Sequence, residues 1–421
     1  MVTVAALPAR LHTGLGFKQF VALIAALMAV NAIAIDAMLP ALPAIAGALN
    51  IPEENQRQWI VTSYLLGFGS AQLIYGTLAD RFGRRPVLLA GLAIYVTFSL
   101  IAAFSTSFEM MIAARVMQGV GSGAARVLSV SIVRDCYSGR PMARVMSLSF
   151  IVFLCVPIIA PSIGQGIVLL GSWRMIFLMF AGFGLAVMTW VWFRLPETMH
   201  VEDRTPISVA NILRTFTTVL TTRVAIGYTM AMTILLGGLF GFISSAQQIF
   251  FDVFHAQKWF TTVFAMIALF MAASSLTNAR LVGRYGTRRI SHTALTAYVL
   301  FAILHAAVAV SGHETIVTFA LFQSAVMFSF GLMMSNFGAM AMEPLGHLAG
   351  TAASVQGFLT TIGGAVFGFL IGQQFNGTAI PMTVGFAGFG IGGFIVVLFT
   401  ERGRLFHPTP EGVASTAEFG H

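Results

Sequence analysis

Charge is what this chain has least of. Only 9% of its 421 residues are charged and 57% are hydrophobic, against about 25% charged in a typical soluble domain. No water-facing surface can be built from so few charges, so a soluble globular fold is excluded and an integral membrane protein is expected. Cysteine is nearly absent as well: Cys136 and Cys155 lie in or beside apolar runs without metal-ligand spacing, which excludes a disulfide framework and a zinc site. There is no H-E-x-x-H, G-x-S-x-G or Walker A pattern. The glycines of Gly388-Phe-Gly390-Ile-Gly392-Gly393 sit inside an apolar run with no strand before them and no following Lys, so they read as helix packing. With no pair of catalytic groups at one depth, an enzyme is not expected, and no cofactor or metal is implied.

What the chain does have is long apolar runs of about 20 residues, the length of a helix across the hydrocarbon core. Lipid offers no partners to a bare backbone, so such runs cross as helices. Hydropathy and breakers predict an all-α membrane fold of twelve spans, at 17–39, 58–78, 87–105, 109–133, 145–169, 174–193, 224–250, 259–281, 290–311, 315–341, 350–373 and 379–400. The domains follow: a tail 1–16, a six-helix bundle 17–193, a polar linker 194–223, a second bundle 224–400 and a tail 401–421. The linker holds Glu197, Glu202, Asp203, Arg204 and Arg214, with an amphipathic segment expected around 207–219. The first apolar stretch is too long for a signal peptide and reads as a retained span.

The net charge of +8 could suggest nucleic acid, but the basic residues fall in short loops on one side. That side carries Arg10, Lys18, the three Arg of 81–85, Arg134, Arg140, Arg144, Arg194, Arg204, Arg214, Arg223, Arg280, Arg284, Arg288, Arg289, Arg402 and Arg404. The other side has Arg57, Arg174 and Lys258. This is the positive-inside bias, so both termini are expected in the cytoplasm and no nucleic-acid partner is expected.

The densest charge lies in Gly76-Thr-Leu-Ala-Asp80-Arg81-Phe82-Gly83-Arg84-Arg85-Pro86, between the second and third spans. A shift of 203 residues aligns Leu78 with Leu281, Arg81 with Arg284, Phe82 with Tyr285, Gly83 with Gly286 and Arg85 with Arg288. A repeat of this length, preserving loop chemistry, points to duplicated six-helix halves. Asp80 meets Gly283, so the second copy lacks the acid.

Gly76–Arg85 matches the cytoplasmic loop signature of the major facilitator superfamily, G-x-L-A-D-R-x-G-R-R, without a mismatch. Arg115-Val-Met-Gln118-Gly119-Val-Gly121-Ser-Gly123 resembles that family's fourth-span motif. Asp36-Ala-Met-Leu39-Pro40-Ala-Leu-Pro43 and Arg134-Asp135 are similar to the bicyclomycin/chloramphenicol-resistance (Bcr/CflA) branch of drug:proton antiporters. The antiporter motif of the fifth span is only partly kept, as Ala160-Pro161-Ser-Ile-Gly164-Gln165. The resemblance implies twelve helices in two pseudo-symmetric bundles and proton-coupled export driven by a proton gradient.

Ionisable groups within lipid are expensive and functional by default. Of fifteen acids, Asp36 alone lies within a span. It either caps the outer end of span 1 before Pro40 or faces the central cavity and carries a proton. Arg115 shares its outer-half depth and is the expected partner, either forming and splitting the pair with conformation or locking helices together through a fixed ion pair or a backbone-carbonyl contact. Arg115, Gln118, Ser122, Arg126 and Ser129 line one face of span 4. Arg126, about 16 Å nearer the cytoplasm, is open to anion attraction or to pairing with Asp135. His305 reads as a neutral packing residue. Asn31, Tyr64, Gln118, Ser122, Arg126, Gln247, Asn336 and Gln356 are the expected cavity polars, with Gln323 beside them. The 22 Met and 38 Phe suit an adaptable apolar pocket. Gly76, Asp80, Arg81, Gly83, Arg84, Arg85 and Arg134 are expected to form a conformational latch in which Asp80 meets the start of span 11 near Gly350.

The function expected is secondary active transport: proton-coupled efflux of small apolar or weakly basic compounds by a monomer in the inner membrane. A dedicated exporter of one metabolite, sugar or siderophore is the alternative.

Overall fold

Pro and Gly set where these helices stop. The computed structural model describes residues 15–406 apart from 205, 207 and 208. Most of the two expected tails, Arg10 and Ile207 therefore lie outside the described residues. Among the described residues there are fourteen α-helices and no strand. Span 1 is split into α1 (Phe17–Asp36) and α2 (Leu42–Ala48). The next five spans are α3 (Trp59–Phe82), α4 (Arg84–Ala103), α5 (Phe108–Cys136), α6 (Gly139–Leu170) and α7 (Arg174–Arg194). The linker contains α8 (Val209–Thr221). The second six spans are α9 (Arg223–Gln248), α10 (Phe260–Tyr285), α11 (Thr287–Val310), α12 (Ile316–Met342), α13 (Ala349–Gly372) and α14 (Ile380–Thr400).

Among the described residues, eleven spans are long and apolar enough to cross a membrane by length and composition alone. The twelfth is α3, whose 24 residues are more polar and include buried Thr62, Ser63, Tyr64 and Gln72. It is enclosed between α5 and α13, so its polar groups face protein rather than lipid.

The charged stretch between spans 2 and 3 is mostly helix, not the loop expected. Nothing from Thr77 to Phe82 breaks a helix, and Pro86 falls in the first turn of α4, where its missing N–H costs no hydrogen bond. The two helices meet at a single residue, Gly83, with φ 102° and ψ 159°. Gly286 makes the same corner between α10 and α11, with φ 79° and ψ 156°. A side chain is strained there. The repeat read from the sequence is thus a repeat of backbone geometry.

Packing follows the same duplication. Within the first half α5 lies against α3 and α4, and α1 against α6; within the second, α9 lies against α13 and α14, and α10 against α12. The main contacts between the halves are α3 on α13 and α6 on α10. Under the duplication α3 corresponds to α10 and α6 to α13, so these two interfaces are equivalents of each other. The linker helix α8 packs Val219 against Ala352 and Val355 of α13, with Phe216 beside Phe358.

Helix approach is closest at glycines. A Cβ on Gly119 would collide with the Tyr64 carbonyl of α3, and one on Gly164 with the Ala37 carbonyl where span 1 breaks. Gly388, by contrast, has nothing within 4 Å of such a Cβ. Overpacking costs about 1–3 kcal/mol. Gly119→Ala should therefore lower the melting temperature in detergent, while Gly388→Ala leaves it unchanged or slightly raised. Equal melting temperatures for the two variants would contradict this packing.

Candidate functional site

Pro40 and Pro43 end the first span early. The residue before a proline is pushed out of the α region and proline donates no hydrogen bond, so α1 stops at Asp36 and the chain passes through Ala37–Met38 and a short 3-10 turn, Leu39–Ala41, into α2. A helix end leaves carbonyls without intrahelical partners. Ala37 N–H donates to the Ile33 carbonyl at 3.1 Å, and Arg115 Nη2 donates to the Ala34 carbonyl at 3.2 Å.

Arg115 has no exposed surface, and its guanidinium is held by three helices. Nε donates to the Ile60 carbonyl at 3.0 Å and Nη1 to Gln118 Oε1 at 2.6 Å. The guanidinium also lies 4.3 Å from the centre of the Tyr64 ring. Gln118 Nε2 donates onward to Ser99 Oγ at 2.7 Å. The Tyr64 hydroxyl sits 3.0 Å from Asn31 Oδ1 and 2.8 Å from Ser122 Oγ.

The expected Asp36–Arg115 ion pair is not formed. Arg115 spends its donors on backbone carbonyls and Gln118, because the broken end of α1 presents carbonyls closer to it than any carboxylate. Asp36 is 5% exposed and has no hydrogen bond or ion pair to any described residue. Its carboxyl instead lines a cavity of about 680 Å³ between the halves. That cavity is walled by α1, α6, α9, α10 and α12, with Phe150, Phe153, Phe242, Phe264, Met327 and Phe330 among its lining, and Asp36 is the one charged residue there among the described residues.

Of the expected cavity polars, Asn31 lines this space and the others do not. Tyr64, Gln118 and Ser122 form the buried chain behind it. Asn336 is paired with Asn278, its Nδ2 donating to Asn278 Oδ1 at 2.8 Å, while its neighbour Ser335 reaches the cavity. Gln247 and Gln323 are buried with both amide atoms unpartnered, and Gln356 rests against the Met232 sulfur at 3.8 Å. Arg126 is exposed and does not pair with Asp135. His305 is buried but not simply packed: its Nε2 lies 3.1 Å from Glu314 Oε1, with the ring stacked on Phe322.

On the side of the membrane away from the termini, the halves are clasped together. Arg57 meets Asp252 at 2.6 Å. Gln58 Nε2 donates to the Gly372 carbonyl at 2.9 Å and to Gln248 Oε1. Asn55 Nδ2 donates to the Phe375 carbonyl at 3.0 Å, and Gln373 Nε2 to the Asn55 carbonyl at 2.9 Å. Sequence reasoning missed this clasp, since neutral amides carry no periodic or charge signal and their partners lie in the other half of the chain.

On the side of the termini, the charged cluster stays within the first half. Arg84 binds Asp80 at 2.6 Å and Asp135 at 3.0 Å, and Thr198 also donates to Asp135. Glu197 accepts from the backbone N–H of Arg84 at 2.9 Å and of Arg85 at 3.2 Å, a carboxylate at the positive end of α4. Arg85 Nη2 donates to the Trp192 carbonyl at 2.6 Å. Asp80 is therefore engaged by Arg84 rather than by the second half; Arg134 is the residue beside Gly350, 3.7 Å from where a Cβ would stand. In the second half Arg288 binds Glu401 at 3.2 Å and Glu343 at 3.4 Å. The acid missing from the repeated loop is thus supplied from the ends of α12 and α14.

Known proteins share this organisation. The Major Facilitator Superfamily pattern matches residues 24–368. The chain is 31% identical to an uncharacterized MFS-type transporter, YdgK, of Bacillus subtilis, over 83% of this chain and 87% of that one. It is also 31% identical to a bicyclomycin resistance protein homolog of Haemophilus influenzae, with the same coverage. It is 27% identical to the multidrug resistance protein MdtL of Escherichia coli, over 79% and 83%. Among solved structures, the xylose transporter XylE of E. coli superposes with a TM-score of 0.71 at 12% identity, covering 94% of this chain and 99% of that one. The human organic anion transporter MFSD10 does so with 0.65 at 19%, covering 91% and 100%. With duplicated halves, a cavity between them and a family match across most of its length, this chain belongs to the major facilitator superfamily, in company with the bicyclomycin resistance protein homolog and the multidrug resistance protein MdtL.

Proposed function

We propose that this transporter exports small apolar or weakly basic compounds, drugs among them, in exchange for protons, and that Asp36 carries the proton. The observation that supports this reading is the isolation of Asp36, a carboxyl within the membrane that faces an apolar cavity and has no partner among the described residues. Such a group is costly to keep charged, so it binds a proton when enclosed and releases it when water or a competing ligand arrives. A cavity of about 680 Å³ is of the size that holds drug-like molecules. The names of the relatives, bicyclomycin resistance and multidrug resistance, agree with that cargo. The excess of basic residues in the loops on the side of the termini supports cytoplasmic termini in a bacterial inner membrane, and we read the carrier as a monomer.

Alternating access follows from the two sets of contacts. In the conformation described, the clasp of Arg57, Gln58, Asn55 and their partners closes the periplasmic side, and Asp80 rests on Arg84. When the clasp opens, the halves rock about the α3–α13 and α6–α10 interfaces. Arg134 already stands beside Gly350 at the start of α13, and the cluster around Asp80 then joins it there.

Two measurements follow. Asp36→Asn should abolish efflux driven by a pH gradient in energised inverted vesicles while ligand binding to the purified protein persists; full active transport by the variant would remove Asp36 as the proton carrier. Asp252→Asn removes the short ion pair across the halves and leaves buried Arg57 only the longer contact to Glu54 of its own half, at 3.9 Å, which weakens the closed clasp. Spin labels at Glu53→Cys and Asn376→Cys, with Cys136 and Cys155 replaced by Ser, should then report a larger population at long distance. An unchanged distance distribution would show that the clasp does not hold the periplasmic side shut.

A further inference from the structure

Arg126 is the charged residue that neither the proton chemistry nor the latch uses. It lies three helical turns beyond Arg115 on the same face of α5. The neighbouring faces of that helix are occupied: Gly121 packs against Gly91 and Tyr95 of α4, and Gly123 against Ala71 of α3. The face that Arg115, Gln118 and Ser122 present to the interior is therefore the one from which Arg126 emerges. There its side chain is exposed, although it lies deep among the helices. It has no hydrogen bond, ion pair or aromatic ring against it among the described residues. Asp135, the nearest acid along α5, is taken by Arg84 and Thr198.

Depth along the helices puts Arg126 level with the terminal-side end of the cavity, although no residue of α5 is among the cavity's lining. At 1.5 Å per residue it stands about 15 Å from the terminal-side end of α5. The cavity's lining on that side is Ser147, Ala279 and Ser335, which lie about 9–12 Å from the corresponding ends of α6, α10 and α12. The clasp is on the opposite side, so this is the end of the cavity from which cargo enters.

A guanidinium cannot lose its proton, and at membrane depth it needs water or an anion. Its planar fork matches a carboxylate, sulfonate or phosphate better than any other group. We propose that Arg126 is a specificity-determining residue: it binds an anionic oxygen group on the cargo while the apolar body of that molecule occupies the Phe- and Met-lined cavity. This reading rests on the export function proposed above but extends its cargo to amphipathic anions.

The test is equilibrium binding to the purified protein in zwitterionic detergent, without a gradient, so that it does not depend on proton coupling. The probes are 2-naphthoate, its amide 2-naphthamide, and 2-naphthylmethylammonium. Wild type should bind the carboxylate saturably and at least about tenfold more tightly than the ammonium. Arg126→Gln should weaken carboxylate binding by about tenfold, the loss of roughly one charge-assisted hydrogen bond, and leave the amide unchanged, which also shows that the variant is folded. Arg126→Lys should recover part of the loss. Asp36→Asn should still bind the carboxylate, so failure of the proton reading leaves this one standing. Equal weakening of carboxylate and amide, no weakening, tighter binding of the ammonium, or no saturable carboxylate binding by wild type would each overturn the proposal. Selective loss of carboxylate binding on adding phosphatidylglycerol would assign the guanidinium to a lipid headgroup instead and overturn it too.

Discussion

A buried guanidinium that stays protonated has to be satisfied where it lies, and Arg115 sets the terms for everything near it. Its donors go to the Ala34 and Ile60 carbonyls and to Gln118. The Ala34 carbonyl is available because Pro40 stops α1 and leaves its last turn without partners. A cation at that end also complements the helix dipole. Sequence, local geometry and electrostatics therefore converge: the proline break creates the carbonyl that holds the arginine, and the arginine so held leaves Asp36 without a partner. If the two formed a fixed ion pair, the carboxylate would be stabilised in its charged form and poorly suited to proton exchange.

The same logic separates the two ends of the molecule. Away from the termini, the halves meet through one ion pair and a set of neutral amides, each worth about 1 kcal/mol net, contacts strong enough together to close the side and weak enough singly to part. Near the termini, charged networks tie helix ends within each half: Arg84 with Asp80 and Asp135, Arg288 with Glu343 and Glu401. In the transport cycle proposed above, these networks hold each half together while the α3–α13 and α6–α10 interfaces move. Glycines at close approaches such as Gly119 and Gly164 add to that rigidity by letting backbones touch.

How much of this was legible beforehand depends on the kind of signal. The spans were readable because lipid leaves a helix no alternative, and the duplicated corner because Gly83 and Gly286 sit at equivalent places. Asp36 stood out because a lone acid in an apolar run is costly. Its relation to Arg115 stays open in the sequence: opposite charges at one depth allow either an ion pair or carbonyl contacts that lock helices, and the carbonyls freed by Pro40 leave no mark of their own. The α3–α4 corner shows the same blind spot in reverse: a run of charges suggests a loop, yet Thr77–Phe82 contains no helix breaker. Gln58, Gln248 and Gln373 were invisible as a clasp because their partners are far away in the chain. Glu343 and Glu401 were missed as partners of Arg288 because the repeat was compared only within its own loop. The cavity's walls, mostly Phe and Met, were hinted at by abundance alone.

The central claim is that ligand and proton compete for the cavity through Asp36, and proton release on binding tests it most directly. Purified protein in unbuffered detergent, starting near neutral pH with a pH indicator, is titrated with a transported compound. The account predicts release of up to one proton per bound molecule in the wild type, with Asp36→Asn binding the compound and releasing none. Binding without proton release over the whole range in which the protein is stable, or the same release from the variant, would contradict it.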